Sequence, residues 1–179
     1  LFQRLFNPKL NAMPLTWMQR MAWAMDIVRG ITYLGRVAHC IHGDLKSENV
    51  LLDQRTGHAV LSDFGLLRQL SILPDGSAQC VTMTMSIKGT YAYLAPEVIA
   101  GELSPAQDVY AMGVLLLELM TSKLPLDQDR KPKGLLDFMS PFLRQLDTLP
   151  SAMDSDAAWP PGLAQELGRL VLQCTSRFR

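Results

Sequence analysis

The chain has 179 residues, of which 48% are hydrophobic and 19% charged, so it is long and apolar enough for one domain with a real core. Its 17 basic and 17 acidic residues balance. This balance argues against nucleic acid or a polybasic membrane contact as the main partner, because both require a positive excess.

The cysteine pattern indicates a cytosolic protein, and the apolar runs are too short for a membrane span. The cysteines are odd in number and widely spaced, which indicates reduced thiols in the cytoplasm rather than a disulfide framework or a zinc site. They are Cys40, Cys80 and Cys174. We find no signal sequence and no apolar run near the roughly 20 residues that a bilayer requires. We therefore expect no membrane segment in this chain.

Two helices are predicted before residue 35. Residues 1–11 predict a short helix that ends before Pro8. A longer one is predicted from about Pro14 to Leu34, because proline suits a first helical turn. Apolar residues at three- and four-residue steps predict its core-facing stripe. That stripe comprises Trp17, Met21, Met25, Val28, Ile31 and Leu34.

A β-hairpin is predicted next. Residues 50–52 and 59–61 read as short strands on either side of a polar turn that contains Gly57. Such a hairpin would hold Asn49 at one end and deliver Asp63 at the other. Residues 66–86 carry Pro-Asp-Gly and several Ser and Thr residues, and they predict a mobile loop.

Helices dominate the rest of the chain. Residues 105–122 are apolar nearly all round and predict a central buried helix. Residues 133–143 predict another helix, 147–162 a loop, and 163–174 a last amphipathic helix. The predicted fold class is mainly α, a helical bundle with a small β-hairpin that carries the chemistry.

The most informative segment is residues 42–53, which read HGDLKSENVLLD. It places an acid, a lysine and an amide within six residues, as Asp44, Lys46 and Asn49. Asp63-Phe64-Gly65 begins fourteen residues after Asn49. Each short motif alone is a weak turn signal. The whole set in this order is specific, since it continues with Gly89-Thr90 and Ala95-Pro96-Glu97.

These motifs closely resemble the catalytic loop and the magnesium loop of eukaryotic protein kinases. The resemblance covers nearly the whole chain and implies that residues 1–179 form a protein-kinase C-terminal lobe. Lys46 and the sequence GTYAYLAPE resemble serine/threonine kinases. HGDLKSENVLLD, IKGTYAYLAPEVIAGELS and the spacing of LVLQC resemble the interleukin-1-receptor-associated kinase and Pelle branch. Plant receptor-like kinases share parts of this pattern and remain the sub-family alternative.

The resemblance assigns a role to each residue of the set. Asp44 would accept the proton of the substrate hydroxyl, and Lys46 would place a positive charge near the transferring phosphate. Asn49 and Asp63 would bind Mg²⁺. Leu51 would form the floor of the adenine pocket, so the ATP-binding residues would be Lys46, Asn49, Leu51 and Asp63.

Supporting contacts are implied as well. His42 and Phe64 would stack in the spine that aligns the active site. Asp108 would cap the backbone of the catalytic loop, and Thr90 would pack beside Asp44.

One departure from the family pattern concerns regulation. Gly43 stands where many kinases carry an arginine that pairs with a phosphorylated activation-loop residue. Ser86 matches the usual primary site, with Thr82 and Thr84 as weaker candidates. Because one charge-assisted partner is missing, we expect weak coupling between Ser86 phosphorylation and activity.

Two further departures concern completeness. No glycine-rich loop, strand lysine or helix glutamate of an N-terminal lobe precedes His42. The chain would supply the lower side of the ATP site but not the upper side that covers the nucleotide. We therefore expect negligible phosphate transfer by this chain alone. The family arginine that pairs with Glu97 should fall after Arg179, with Arg177 or Arg179 as a substitute, so the C-terminal end is also expected to be truncated.

Two hypotheses remain open at this point. The chain is the catalytic lobe of a serine/threonine kinase in intracellular signalling, or it is a kinase-like scaffold or pseudokinase that binds partners in receptor signalling. The implied cofactors are ATP and Mg²⁺. The implied partners are a protein substrate with Ser or Thr, the missing N-terminal lobe, and adaptors of a receptor complex.

Overall fold

Helices make up more than half of the residues that the structure describes. The computed structural model describes residues 1–7, 14–70, 81–82, 89–160 and 162–176. The α-helices of this part are α1 (Phe2–Phe6), α2 (Trp17–Arg36), α3 (Pro96–Ile99), α4 (Ala106–Thr121), α5 (Leu135–Arg144) and α6 (Leu163–Thr175). Short 3₁₀ helices span Ser47–Asn49, Phe64–Leu66, Tyr91–Tyr93, Leu146–Ala152 and Ser155–Ala157. The mainly helical class is confirmed.

The strands of the described ranges are short and pair two by two in antiparallel fashion. They are β1 (Cys40–Ile41), β2 (Val50–Leu52), β3 (Ala59–Leu61), β4 (Arg68–Gln69), β5 (Val81–Thr82) and β6 (Glu102–Leu103). β1 pairs with β4, β2 with β3, and β5 with β6. The pairings of β4 and β5 lie in the segment for which we predicted only a loop. The predicted phosphorylation sites Ser86 and Thr84 lie outside the described residues, as do Cys80, Arg177 and Arg179.

α2 begins three residues later than predicted. Thr16 forms a capping box with Gln19, in which each side chain binds the other residue's backbone N–H. The buried face of α2 consists of Arg20, Trp23, Ala24 and Ile27. The predicted stripe is therefore partly wrong, since Met25 is 48% exposed and Val28 is 37% exposed. α2 packs on both α4 and β3, and these two neighbours select the buried face.

The predicted hairpin is confirmed residue for residue. β2 and β3 pair Val50 with Leu61, Leu51 with Val60 and Leu52 with Ala59. Gly57 adopts a φ of +76°, which suits glycine at the turn. Successive side chains face opposite sides of a strand. Accordingly Val50 and Ala59 are buried, whereas Leu51 is 58% and Val60 53% exposed.

α4 is the centre of the core. Nearly every residue of this helix is buried, as predicted, and α2, α5 and α6 pack around it. Gly113 permits the close approach of α6, because a Cβ there would lie 2.7 Å from Thr175 Cγ2 and 2.8 Å from Cys174 Cβ. None of the helices in the described ranges combines the length and apolarity needed to cross a membrane.

Candidate active site

The carboxylate of Asp44 lies at the centre of a hydrogen-bonded cluster. Its Oδ2 accepts Lys46 Nζ at 2.7 Å and Asn49 Nδ2 at 3.0 Å. Its Oδ1 accepts the backbone amide and the hydroxyl of Thr90, each at 3.1 Å. Lys46 Nζ also donates to Thr90 Oγ1 at 2.8 Å. Three of the predicted site residues are thus in direct contact, and the predicted position of Thr90 is confirmed.

These donors keep Asp44 ionised. Burial alone would raise the pKa of its carboxyl group. The hydrogen bonds and charge of Lys46, together with the hydrogen bonds from Thr90, outweigh burial and hold that pKa below its usual value. The Asp44 side chain is 11% exposed, so the ionised carboxylate keeps a limited contact with solvent.

Asn49 presents an unused ligand atom beside Asp44. Its Nδ2 donates to the backbone carbonyl of Asp44 at 2.9 Å as well as to the carboxylate. The amide nitrogen is thus occupied, while Asn49 Oδ1 has no partner among the described residues. An amide oxygen is a hard ligand that suits Mg²⁺. The 3₁₀ helix Ser47–Asn49 holds this side chain just before β2 begins.

Asp63 is connected to the cluster less directly. Its side chain is exposed, and its backbone adopts the left-handed conformation with φ +60°. Asp63 Oδ1 accepts a hydrogen bond from the Gly65 amide at 3.4 Å. Among the described residues, no hydrogen bond joins Asp63 to Asp44, Lys46 or Asn49. No group of three or more His, Cys, Asp or Glu side chains in the described ranges could hold a metal by itself. One carboxylate and one amide oxygen nevertheless fit Mg²⁺, which takes few protein ligands and completes its shell with phosphates.

Ser62, which the sequence analysis did not single out, joins the two loops. Its backbone amide and its hydroxyl both donate to the Asn49 carbonyl at 2.9 Å. Its own carbonyl is 3.0 Å from His42 Nε2. The residue before Asp63 is therefore tied to both the catalytic loop and Asn49. A serine between a strand and Asp-Phe-Gly carries no signal that would have identified this role.

The predicted supporting contacts are present. The His42 and Phe64 rings lie 5.3 Å apart between centroids and are tilted by 52° rather than stacked in parallel. Asp108 accepts the His42 amide at 2.7 Å and the Gly43 amide at 3.0 Å. The catalytic loop is thus anchored to the first turn of α4, and the predicted cap is confirmed.

Gly43 packs against the segment that follows Asp63. Its φ is +80°, and a Cβ at this position would lie 2.9 Å from the carbonyl oxygen of Leu66. Glycine therefore relieves both a backbone and a packing constraint. Glu97, in α3, has no hydrogen-bond or ion-pair partner among the described residues, and its predicted substitutes Arg177 and Arg179 lie outside them.

Leu51 lies apart from the charged cluster, on the exposed face of the hairpin opposite Val60. It lines a cavity of about 680 Å³ between the hairpin and α1, together with Phe2, Glu48 and Asp53. This volume falls within the range of small-molecule sites.

A buried polar triad lies beneath the catalytic loop. Glu118 is fully buried in α4 and accepts the Tyr93 hydroxyl at 2.7 Å and the Ser47 hydroxyl at 2.9 Å. Burial raises the pKa of the Glu118 carboxyl group to about 8, because the two hydrogen bonds offset only part of the desolvation. Sequence reasoning missed this cluster, since its members are far apart along the chain.

Comparisons with known proteins agree with this geometry. The family model described as protein kinase domain matches residues 3–177. The chain is 40% identical to Receptor-like kinase TMK4 of Arabidopsis thaliana, over 98% of the chain and 19% of that protein. It is 36% identical to Serine/threonine-protein kinase BIK1 of Arabidopsis thaliana, over 91% of the chain and 41% of that protein. It therefore spans less than half the length of these relatives.

Proposed function

The chain belongs to the protein kinase family as a serine/threonine member, and we propose that it is the C-terminal lobe of an active enzyme. This enzyme transfers the γ-phosphate of ATP to serine or threonine hydroxyls of a protein substrate. The observation that carries the proposal is the ionised Asp44 carboxylate, held within hydrogen-bonding distance of Lys46, Asn49 and Thr90.

The roles follow from what each group can do. Asp44 orients the substrate hydroxyl and accepts its proton, while the Lys46 ammonium offsets negative charge on the transferring phosphate. Asn49 and Asp63 are the residues that would hold Mg²⁺, which neutralises phosphate charge when bound.

The Thr90 hydroxyl is the group that can make room for the substrate at Asp44. Both oxygens of Asp44 are occupied by protein donors. The Thr90 hydroxyl is a rotatable donor, whereas its backbone amide is not. We infer that the substrate hydroxyl replaces the Thr90 hydroxyl at Oδ1, and that the amide keeps the carboxylate in place.

The finer classification and the cellular setting are also proposals. HGDLKSENVLLD supports the interleukin-1-receptor-associated kinase and Pelle branch, while relatives such as Receptor-like kinase TMK4 support the plant receptor-like alternative. Cys40 and Cys174 are free thiols, which supports a cytoplasmic setting in intracellular signalling. The proposed partners are ATP, a kinase N-terminal lobe, a Ser/Thr protein substrate and adaptors of a receptor complex.

Activity of the full-length protein tests the proposal. ATP with Mg²⁺ and a serine/threonine protein substrate should give phosphate transfer, and Asp44→Asn should lower kcat by about 10²–10⁴-fold. Asp129→Asn, which changes an exposed acid in the loop before α5, is the matched control. The 1–179 chain alone should transfer negligibly.

The alternative, a kinase-like scaffold, predicts a different result. Full-length protein would then bind its partners without phosphate transfer, and Asp44→Asn would equal wild type in every assay. That outcome would remove the proposed activity.

A further inference from the structure

One face of α2 supports the hairpin that carries the site. Trp23, Asp26 and Gly30 are spaced by three and four residues, so they lie on one side of this helix. This side meets the segment from Gly57 to Leu61, which is the end of the turn followed by β3. We call these three residues the hairpin seat.

The contacts of the hairpin seat are specific. Trp23 Nε1 donates to the Gly57 carbonyl at 3.0 Å. Asp26 Oδ2 accepts the Ala59 amide at 3.1 Å and lies 2.9 Å from His58 Nδ1. A Cβ on Gly30 would lie 2.7 Å from Leu61 Cδ1, so the Leu61 side chain packs directly over this glycine.

Asp26 is the charged member of the seat and is largely enclosed, with 12% of its side chain exposed. Burial would raise the pKa of its carboxyl group, but the hydrogen bonds from His58 and the Ala59 amide outweigh burial and lower it. Arg29 adds an ion pair at 3.2 Å. The group is thus an ionised acceptor, which forms stronger hydrogen bonds than a neutral one.

The position of β3 matters because of what lies at its two ends. Its first residue, Ala59, is bound by Asp26. Its last residue, Leu61, precedes Ser62, which is bound to the Asn49 carbonyl, and then Asp63. β3 is therefore held at both ends, by α2 and by the catalytic loop. Because β3 also pairs with β2 along its whole length, loss of the α2 contacts would let the hairpin shift as a unit against α2 and displace Asp63 at its end.

We propose that Asp26, assisted by Trp23, is a positioning residue for phosphoryl transfer that keeps Asp63 aligned with Asn49 for Mg²⁺ binding. This inference rests on the proposed function. It assigns to α2 a role beyond packing, since residues that orient ligand-bearing elements affect metal affinity without touching the metal.

The test uses full-length Asp26→Ala, Asp26→Asn and Trp23→Phe. Asp26→Ala should raise the Mg²⁺ concentration for half-maximal activity about 10-fold and lower kcat by a similar factor. KM for the protein substrate should stay within about two-fold of wild type. Asp26→Asn keeps one acceptor oxygen, so its Mg²⁺ requirement and kcat should lie between those of Asp26→Ala and wild type. Trp23→Phe should shift the Mg²⁺ requirement in the same direction by less.

Two further measurements separate positioning from general stability. Hydrogen exchange at the Ala59 amide should accelerate in both Asp26 variants, while exchange in α4 stays unchanged. Glu166→Gln is the matched control, because it removes an i,i+3 ion pair with Arg169 on α6, away from the hairpin. It should alter neither the Mg²⁺ requirement nor Ala59 exchange. If Asp26→Ala does not fold, Asp26→Asn and Trp23→Phe decide the question by the same readouts.

The outcomes are distinguishable. An active wild type whose Mg²⁺ requirement is unchanged in these variants overturns this inference and leaves the proposed function standing. Unchanged Ala59 exchange overturns it as well. A wild type with no phosphate transfer removes the proposed function, and this inference with it.

Discussion

The hydroxyl and the backbone amide of Ser62 both donate to the carbonyl oxygen of Asn49, each at 2.9 Å. This double contact links the strand that leads to Asp63 with the loop that carries Asp44. The two proposed magnesium ligands thus depend on one serine that is not a ligand itself.

Ser62→Ala should therefore weaken the site without unfolding the chain. The variant loses one of the two hydrogen bonds, worth about 1 kcal/mol, and keeps the backbone bond. We expect the Mg²⁺ concentration for half-maximal activity to rise several-fold, as measured by titration of full-length protein. Ser155→Ala, at an exposed position of the 3₁₀ helix Ser155–Ala157, should match wild type. Equal titrations for all three proteins would contradict the prediction.

Asp108→Asn should weaken the attachment of the catalytic loop to α4. Its carboxylate accepts two backbone amides, and an asparagine amide can accept only through its single oxygen. Loss of a hydrogen bond to a buried charged acceptor costs about 1.5–3 kcal/mol. We expect a lower melting temperature and lower kcat. Asp137→Asn, an exposed acid in the first turn of α5, should change neither.

Glu118→Gln should change how stability depends on pH. The folded-state pKa of Glu118, about 8, is above its ordinary value of 4.5. Between these values the unfolded chain ionises this group while the folded chain keeps it protonated, so its contribution to stability is lost as pH rises. Glutamine does not titrate, so the free energy of unfolding of the variant should rise relative to that of wild type as pH increases between these two pKa values. Above the folded-state pKa the difference should stay constant. Urea unfolding between about pH 5 and 9 measures the difference; a difference independent of pH would refute the assignment.

The ion pair of buried Arg20 and partly buried Asp154 should be strongly coupled. Arg20 is buried and donates to Asp154, to Ser122 and to the Leu15 and Leu119 carbonyls. Asp154→Ala leaves the buried Arg20 guanidinium without a carboxylate, which should lower the free energy of unfolding by about 3–5 kcal/mol.

A double variant checks that coupling. Arg20→Met combined with Asp154→Leu removes both charges and should cost less than the sum of the two single changes, as measured by urea unfolding. Strict additivity would show that the two residues contribute independently. Arg169→Met, from the exposed pair with Glu166, should cost at most about 1 kcal/mol.

Local features were predictable from the sequence. The hairpin register came out as expected because strand pairing across a short turn depends on adjacent residues with a two-residue period. The burial of α4 was predictable because a helix apolar on all sides has no face suited to water. The prediction failed for the face of α2, where the apolar residues Met25 and Val28 are exposed while the polar residue Arg20 is buried.

The site residues that lie within one sequence motif were also predictable. Asp44, Lys46 and Asn49 are close in the chain, so their meeting needs only one loop. Ser62, Asp26 and Glu118 were missed, because common polar residues outside a motif carry no signal of what they contact.

By itself, the order of residues along the chain determined the protein family and the chemical groups available for phosphoryl transfer. The tertiary structure decided how the loop that carries these groups is held against the rest of the protein, because the contacts that hold it join residues far apart in the chain. Asp108 binds His42 across 66 positions, Glu118 binds Ser47 across 71, and Asp26 binds Ala59 across 33. Hydrogen bonds between such distant partners form only when α2 and α4 pack into one core, and no local pattern specifies that packing.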